Sequence, residues 1–386
     1  MRTADTSRQL DVFRGFAAIL MVLNHAGNEW LAHIDATNGL DGFLVFLGST
    51  APALFFTATG IGMGLSRRER PDWYGTGRKI VLLLVADIFL GWSVRRWIGL
   101  DFFAFCGVSM LAVALVKLGS RPRVVAAAAM LVFLLLRYGF VAHLQPLARQ
   151  YPILAFVSGI DGVVDVSYPL GPWLAFPLSG FILGRTIALD RTSKPWPLTA
   201  ALLVLLSGSA VASLILVLRG AVLHRWGSVS IAYFLCAVAI VICFWLSTGL
   251  LERSLPPAAA RALQMRGPAS LMVVPVHYAA IGLIAASWPP PYDPLAWLVL
   301  AGLLCCIVLT LSKWIVICLS GLTQAPRVER WMLPMLAVYA ALAAWAVTSW
   351  PPLACLLIAS GGEVLVALNL TGTAPRVAVA TVPRAI

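Results

Sequence analysis

The sequence predicts an all-α fold, a single polytopic membrane bundle of eleven or twelve transmembrane helices with its N-terminus in the cytoplasm. Three observations predict it. Hydrophobic residues make up 60% of the chain and charged ones 11%, with a mean hydropathy of +0.90, whereas a soluble domain carries about a quarter charged residues. Apolar runs of about 20 residues recur from end to end, the length of a helix that crosses a bilayer. Arginines and lysines gather in alternate short loops, the pattern that fixes orientation.

Taken in order, a basic head over 1–10 (Arg2, Arg8) precedes a first helix at 12–31. No small-residue cleavage site follows it; Asn24, His25, Asn28, Glu29 and His33 come next, so it reads as a retained span rather than a signal peptide. The second helix covers 42–64 and ends at a loop with Arg67, Arg68, Arg70, Arg78 and Lys79. The third, 79–96, encloses Asp87, and the fourth, 101–118, opens on Asp101 and leads to Arg121 and Arg123. After a fifth at 123–142 comes the longest polar crossing, 143–169, with His143, Arg149, Asp161 and Asp165.

The sixth helix, 171–188, carries GPWLAFPLSGFILGR; the seventh and eighth occupy 198–218 and 229–249. The ninth, 269–287, contains VVPVHYAAIG, and the tenth and eleventh lie at 295–318 and 331–349. Pro351–Pro352 separates the last apolar stretch, 353–370, where Gly361, Gly362 and Glu363 interrupt the run, so it either spans or lies at the interface. A tail over 371–386 completes one membrane domain covering 1–386, with no polar linker to divide it. With the N-terminus inside, the basic loops at 67–79, 119–123, 185–197, 252–266 and 320–330 are cytoplasmic, and Arg95, Arg96, Arg219 and Arg225 are the exceptions.

The net charge of +12 does not indicate nucleic-acid binding, because the basic residues are spread over these loops rather than over one soluble module. The seven cysteines include Cys305–Cys306 within an apolar helix and form no CxxC pair, which suits small buried hydrophobes. Five scattered histidines without a carboxylate cluster give no expectation of a metal. HExxH, GxSxG and Walker glycine motifs are absent.

Chemistry concentrates in the first helix and the crossing after it. Arg14 and His25 are eleven residues apart, which puts them on one helical face about 16 Å apart along the axis. Charged groups at such depth point into protein or a wet cavity. Asp11 is placed to pair with Arg14. A structural ion pair and a buried histidine account for these residues; so does catalysis. An imidazole can take and return a proton near neutral pH, and an arginine at the inner end suits a phosphate-bearing donor. Asn24 and Asn28 supply amides that can orient a substrate or polarise a carbonyl. His33 is a second candidate base, and the residues do not rank it against His25.

Elsewhere, Asp101 either caps its helix or meets substrate. Trp173 falls at the outer interface, where a belt role is the ordinary use, and Pro172 and Pro177 imply kinked geometry of the kind that lines cavities. Arg185 either touches phosphate or lies at lipid headgroups. His277 and Tyr278 sit mid-span after Pro275, and a histidine there carries a functional hypothesis, as does Asp87. On residues alone a transporter or flippase-like protein using His25, Asp87 and His277 as a path competes with an enzyme. No inverted repeat supports the transporter.

RQLDVFRGFAAILMVLNHAG resembles the first-helix signature of the integral-membrane acyltransferase superfamily. The crossing with histidine and NGL, followed by APALFFTATG, is similar to the branch that contains the heparan-alpha-glucosaminide N-acetyltransferase and its bacterial relatives. GPWLAFPLSGFILGR and SLMVVPVHYAAIG resemble later motifs of that branch. The resemblance covers 9–64 best, then the sixth and ninth helices. It implies transfer of an acetyl or other acyl group from cytoplasmic acyl-CoA to an amine or hydroxyl, of a sugar or glycan, on the far side of the bilayer. The branch's catalytic histidine falls on His33 and its asparagine on Asn24; the wider superfamily's histidine falls on His25. Acetyl-CoA would be held at Arg14, with Arg78, Lys79 or Arg185 as further contacts, and Asn28, Asp101, Trp173 and His277 would face the acceptor. The compact loops favour a bacterial inner membrane, and the chain is compatible with a monomer or a homo-oligomer.

Overall fold

The structure is a computed structural model that describes residues 2–31, 39–66, 70–93, 101–160, 167–189, 196–223, 229–323 and 326–371. The elements are α1 (Arg2–Trp30), α2 (Gly39–Gly48), α3 (Ala51–Leu65), α4 (Trp73–Ser93), α5 (Phe102–Val116), α6 (Pro122–Leu134), α7 (Val141–Gln150), α8 (Pro152–Ser158) and α9 (Leu170–Trp173). They continue with α10 (Ala175–Leu189), α11 (Trp196–Leu218), α12 (Ile231–Ser254), α13 (Pro257–Leu263), α14 (Gly267–Ser287), α15 (Pro294–Thr323), α16 (Pro326–Ser349) and α17 (Pro352–Thr371). The described residues contain no strand.

Over the described residues, each of the twelve predicted spans holds a helix. Among the described residues nine helical stretches are long and apolar enough to cross a membrane. Of the other three, α4 carries Arg78, Lys79 and Asp87, α5 has 15 residues, and the apolar part of α16 is confined to Pro334–Ala346. The structure adds detail that composition did not predict. The crossing predicted over 143–169 contains α7 and α8, and a π-turn over Leu135–Gly139 ends the fifth span. There Arg137 is buried and donates to the carbonyls of Gly159 and Val229.

The second predicted span is broken between α2 and α3. Pro52 has no N–H to continue the helix, and the hydroxyls of Ser49 and Thr50 turn back onto the carbonyls of Phe46 (2.6 Å) and Leu47 (2.7 Å). Tyr233 of α12 donates its hydroxyl to the Ser49 carbonyl at 2.8 Å, so the break is satisfied by protein where lipid could not do so.

The bundle is organised around α1, which packs against α2, α3, α12, α14 and α15. Large apolar residues such as Leu205, Ile215, Leu303, Ile307 and Ile317 are exposed on α11 and α15, the expected outer surface of a lipid-embedded protein. Close approach of α3 to α10 follows from two pairs of glycines four residues apart. A Cβ at Gly60 would stand 2.0 Å from the Pro177 carbonyl oxygen, and one at Gly184 2.4 Å from that of Ile61. Gly64 and Gly180 complete the contact, the small-residue packing that membrane helices favour. At the far end of α1, the Met265 N–H donates to the Asp11 carbonyl at 2.8 Å and ties the α13–α14 connection to the start of the first span.

Candidate functional site

Two cavities lie in line inside the bundle. The larger, of about 490 Å³, is a basic vestibule. Arg14, Arg70, Lys79 and Lys117 line it from four separate elements, with Asp72 beside them. Arg14 bonds Asp11 at 2.9 Å, as the sequence spacing predicts. Gly62 leaves it room: an added Cβ would stand 3.2 Å from a guanidinium nitrogen. Lys117 brings a further ammonium to the wall at the end of α5, where it suits an arriving anion. On α5 the wall runs Phe102, Cys106, Met110, Lys117 along one face, a depth of about 22 Å at 1.5 Å per residue.

The smaller cavity, of about 70 Å³, is the histidine chamber. Its lining includes Asn24 and His25 from α1, Ser49 at the α2–α3 break, Asp101, Tyr168 and Tyr278. The Tyr278 hydroxyl lies 3.4 Å from His25 Nε2, and the ring centroids are 4.7 Å apart. His277 completes the aromatic group, 5.0 Å from the His25 ring. Its Nδ1 lies 2.7 Å from the Val273 carbonyl. A carbonyl only accepts, so that nitrogen bears the proton. The buried Nε2 is left as an acceptor with no partner among the described residues.

Asn24 is buried, donates to the Val45 carbonyl at 3.0 Å and accepts from Asn28 at 3.1 Å. Close packing of α2 makes this possible, since a Cβ at Gly48 would fall 2.6 Å from the Leu20 carbonyl oxygen and 2.9 Å from Asn24. Asp101 is the N-cap of α5, accepting from the Phe102 N–H at 2.8 Å, and also faces the chamber. Its backbone N–H and that of Ala104 both donate, at 3.0 Å, to the buried Asp87 carboxylate, and Ser167 donates to the second carboxylate oxygen of Asp101 at 3.0 Å. Asp87 therefore fixes the start of α5 against α4.

Of the residues predicted from sequence, the chamber brings together His25, Asn24 and Asp101, while His277 reaches it through the ring contact with His25. Arg14 and Lys79 meet in the vestibule. Arg185 lies instead in a separate pocket of about 410 Å³ with Arg121 and Arg123. Arg78, half-buried, is outside the vestibule lining, and Asn28 is exposed at the end of α1. Trp173 is buried rather than displayed at an interface, packing on Tyr168 (5.0 Å) and Phe176 (5.7 Å). His33 lies outside the described residues. Sequence reasoning missed Lys117, Arg70 as a vestibule residue, Phe102 and Glu363. Glu363 of α17 is 1% exposed and neither carboxylate oxygen has a partner among the described residues.

Residues 7–218, more than half of the chain, match the family described as heparan-alpha-glucosaminide N-acetyltransferase, catalytic. The chain belongs to this family. The match takes in α1 to α11 and so both the Arg14–His25 helix and the Asp87–Asp101 contact, while α12 to α17 lie beyond it. Comparison with curated proteins and with solved structures returns no match. Membership identifies a membrane acetyltransferase, in agreement with the resemblance carried by the first helix.

Proposed function

We propose that the protein transfers an acetyl group from cytoplasmic acetyl-CoA to an amine or hydroxyl, on a sugar or glycan, at the opposite face of a bacterial plasma membrane. The observation that carries this reading is the alignment of the basic vestibule with the histidine chamber along α1, α3, α4 and α14. The vestibule's four cations suit the phosphate-rich end of the donor. Its depth suits an extended arm that carries the thioester toward His25.

At the rim of the chamber the acceptor presents its oxygen or nitrogen, which attacks the thioester carbonyl. His25 takes the acceptor's proton, the C–S bond breaks, and the imidazolium returns the proton to the departing thiolate, giving acylated acceptor and free CoA. Tyr278 orients the His25 ring. Asn24 is placed to donate to the carbonyl oxygen as negative charge develops, once its bond to Val45 is exchanged. His33, which the family resemblance marks, is the alternative base. Trp173 acts through Tyr168, holding the chamber wall. Asn28, Asp101 and His277 are the candidate contacts of the acceptor. Arg185 serves a lipid headgroup or the outer rim of the donor site.

The test is purified protein in detergent with acetyl-labelled CoA and a panel of amino and hydroxyl sugars. Transfer to at least one sugar is expected, lost in His25→Ala or His33→Ala while the variants remain monodisperse. Full transfer by both variants would remove the histidine mechanism, and uptake of a sugar without acylation would point to transport.

A further inference from the structure

Among the described residues the vestibule and the chamber share one lining residue. Phe102, on the first turn of α5, belongs to the walls of both. On α3 the chamber ends at Pro52 and the vestibule begins at Phe55; on α14 the change falls between Leu271 and Val274. Three residues of helix are about 4.5 Å, so along α3 and α14 the wall between the two spaces is one side chain thick, while along α1 (Met21 to Arg14) and α4 (Leu90 to Leu83) the linings are farther apart. Phe102 is 4% exposed, with its ring 5.4 Å from Phe55, 5.6 Å from Phe56 and 5.5 Å from Phe103. It directly follows Asp101, whose backbone is held by Asp87.

The geometry points to Phe102 as a movable partition that admits the thioester to the chamber and sets the size of acyl group transferred. This rests on the acyl-transfer reading. The two volumes make the argument. The vestibule, at about 490 Å³, has space for chains of many carbons, whereas the chamber, at about 70 Å³, holds on the order of two water-sized groups. An acetyl group has two heavy-atom centres beyond its oxygen. A longer chain must leave its tail where the Phe102 ring lies, so the ring selects against length after the donor has bound. Phe102 is a specificity-determining residue, with the Asp87–Asp101 contact setting its resting place.

Two measurements on the full chain in membranes or nanodiscs test this. In the first, kcat/KM is compared for acetyl-, butyryl- and hexanoyl-CoA. The wild-type protein prefers acetyl-CoA, Phe102→Ala moves the hexanoyl-to-acetyl ratio up by about tenfold, and Phe102→Leu, the milder change, moves it part of the way. An unchanged ratio in an active Phe102→Ala protein, or wild-type activity as high with hexanoyl- as with acetyl-CoA, overturns the inference.

The second does not require turnover. In a cysteine-free chain carrying Ala51→Cys, a chamber residue, a small methanethiosulfonate is added from the vestibule side of sealed vesicles. Labelling is slow with Phe102 and about tenfold faster with Phe102→Ala. Equal rates overturn the partition. No transfer from any donor, with labelling still governed by residue 102, overturns the acyl-transfer reading and the claim about acyl size while leaving the partition in place.

Discussion

Asp87→Ala is the substitution whose consequence follows most directly from the structure. The carboxylate is 2% exposed and its two oxygens accept from the backbone N–H groups of Asp101 and Ala104, each at 3.0 Å. Alanine leaves the buried Ala104 donor and the part-buried Asp101 donor without this acceptor, so the sum for two fully buried donors is the upper bound. An unsatisfied buried donor costs about 1–3 kcal/mol, so the pair amounts to about 2–6 kcal/mol. Asp87→Asn keeps one acceptor oxygen and turns an NH2 toward the other donor, which predicts roughly half that loss, about 1–3 kcal/mol. The assay is the thermal transition of detergent-solubilised protein followed by size-exclusion fluorescence, with acetyl transfer measured well below the transition. The expected order of stability is wild type, then Asp87→Asn, then Asp87→Ala. Transfer by the asparagine variant falls more than its folded fraction, because Asp101 and Phe102 lose their anchor. If both variants melt with the wild type, Asp87 does not hold α5 and the account of how the chamber wall is positioned is wrong.

Other predictions follow from single observations. Gly184→Leu should abolish stable packing of α3 on α10 and be recovered only as aggregate, since even a Cβ there meets the Ile61 carbonyl oxygen at 2.4 Å; a monodisperse variant with wild-type melting refutes the close approach. Lys79→Ala combined with Lys117→Ala should raise KM for acetyl-CoA by about tenfold with kcat nearly unchanged, because these side chains bind the donor remote from the reacting atoms. A fall in kcat at constant KM would contradict that assignment. Glu363→Gln should melt at or above the wild-type temperature, since it replaces a fully buried carboxyl that has no partner among the described residues by an amide of the same shape that carries no charge; a folded Glu363→Gln without transfer activity would instead give this residue a role in the chemistry.

Much of this architecture was legible from the chain. Runs of apolar residues fix where helices form in a bilayer whatever their neighbours, so each predicted span has its helix. The Arg14–His25 spacing is local to one helix, and both residues do line internal cavities. What was not legible depends on contacts distant in sequence. Arg70 reads as an ordinary loop cation and Lys117 as the inner end of the fourth span, and only the folding of α3, α4 and α5 around one space gathers them with Arg14. Arg185, which the sequence offers as a contact for phosphate or for lipid headgroups, lies with Arg121 and Arg123 instead. Trp173 has the composition of a belt residue, but the aromatic cluster around Phe56 and Tyr168 encloses it. The glycines of α3 and α10 announce close packing only when the two helices are seen together. Phe102 is one of 17 phenylalanines in the sequence, and nothing local distinguishes the one that divides the two cavities.

The most direct measurement of transfer across the bilayer uses sealed proteoliposomes with an acceptor sugar enclosed and labelled acetyl-CoA outside. Vesicles in which the vestibule faces outward should accumulate acetylated sugar in the lumen while unacylated CoA stays in the medium, and His25→Ala together with His33→Ala should stop it. Acetylated sugar formed only when donor and acceptor share one compartment would contradict the account, because donor and acceptor would then reach the histidines from the same side.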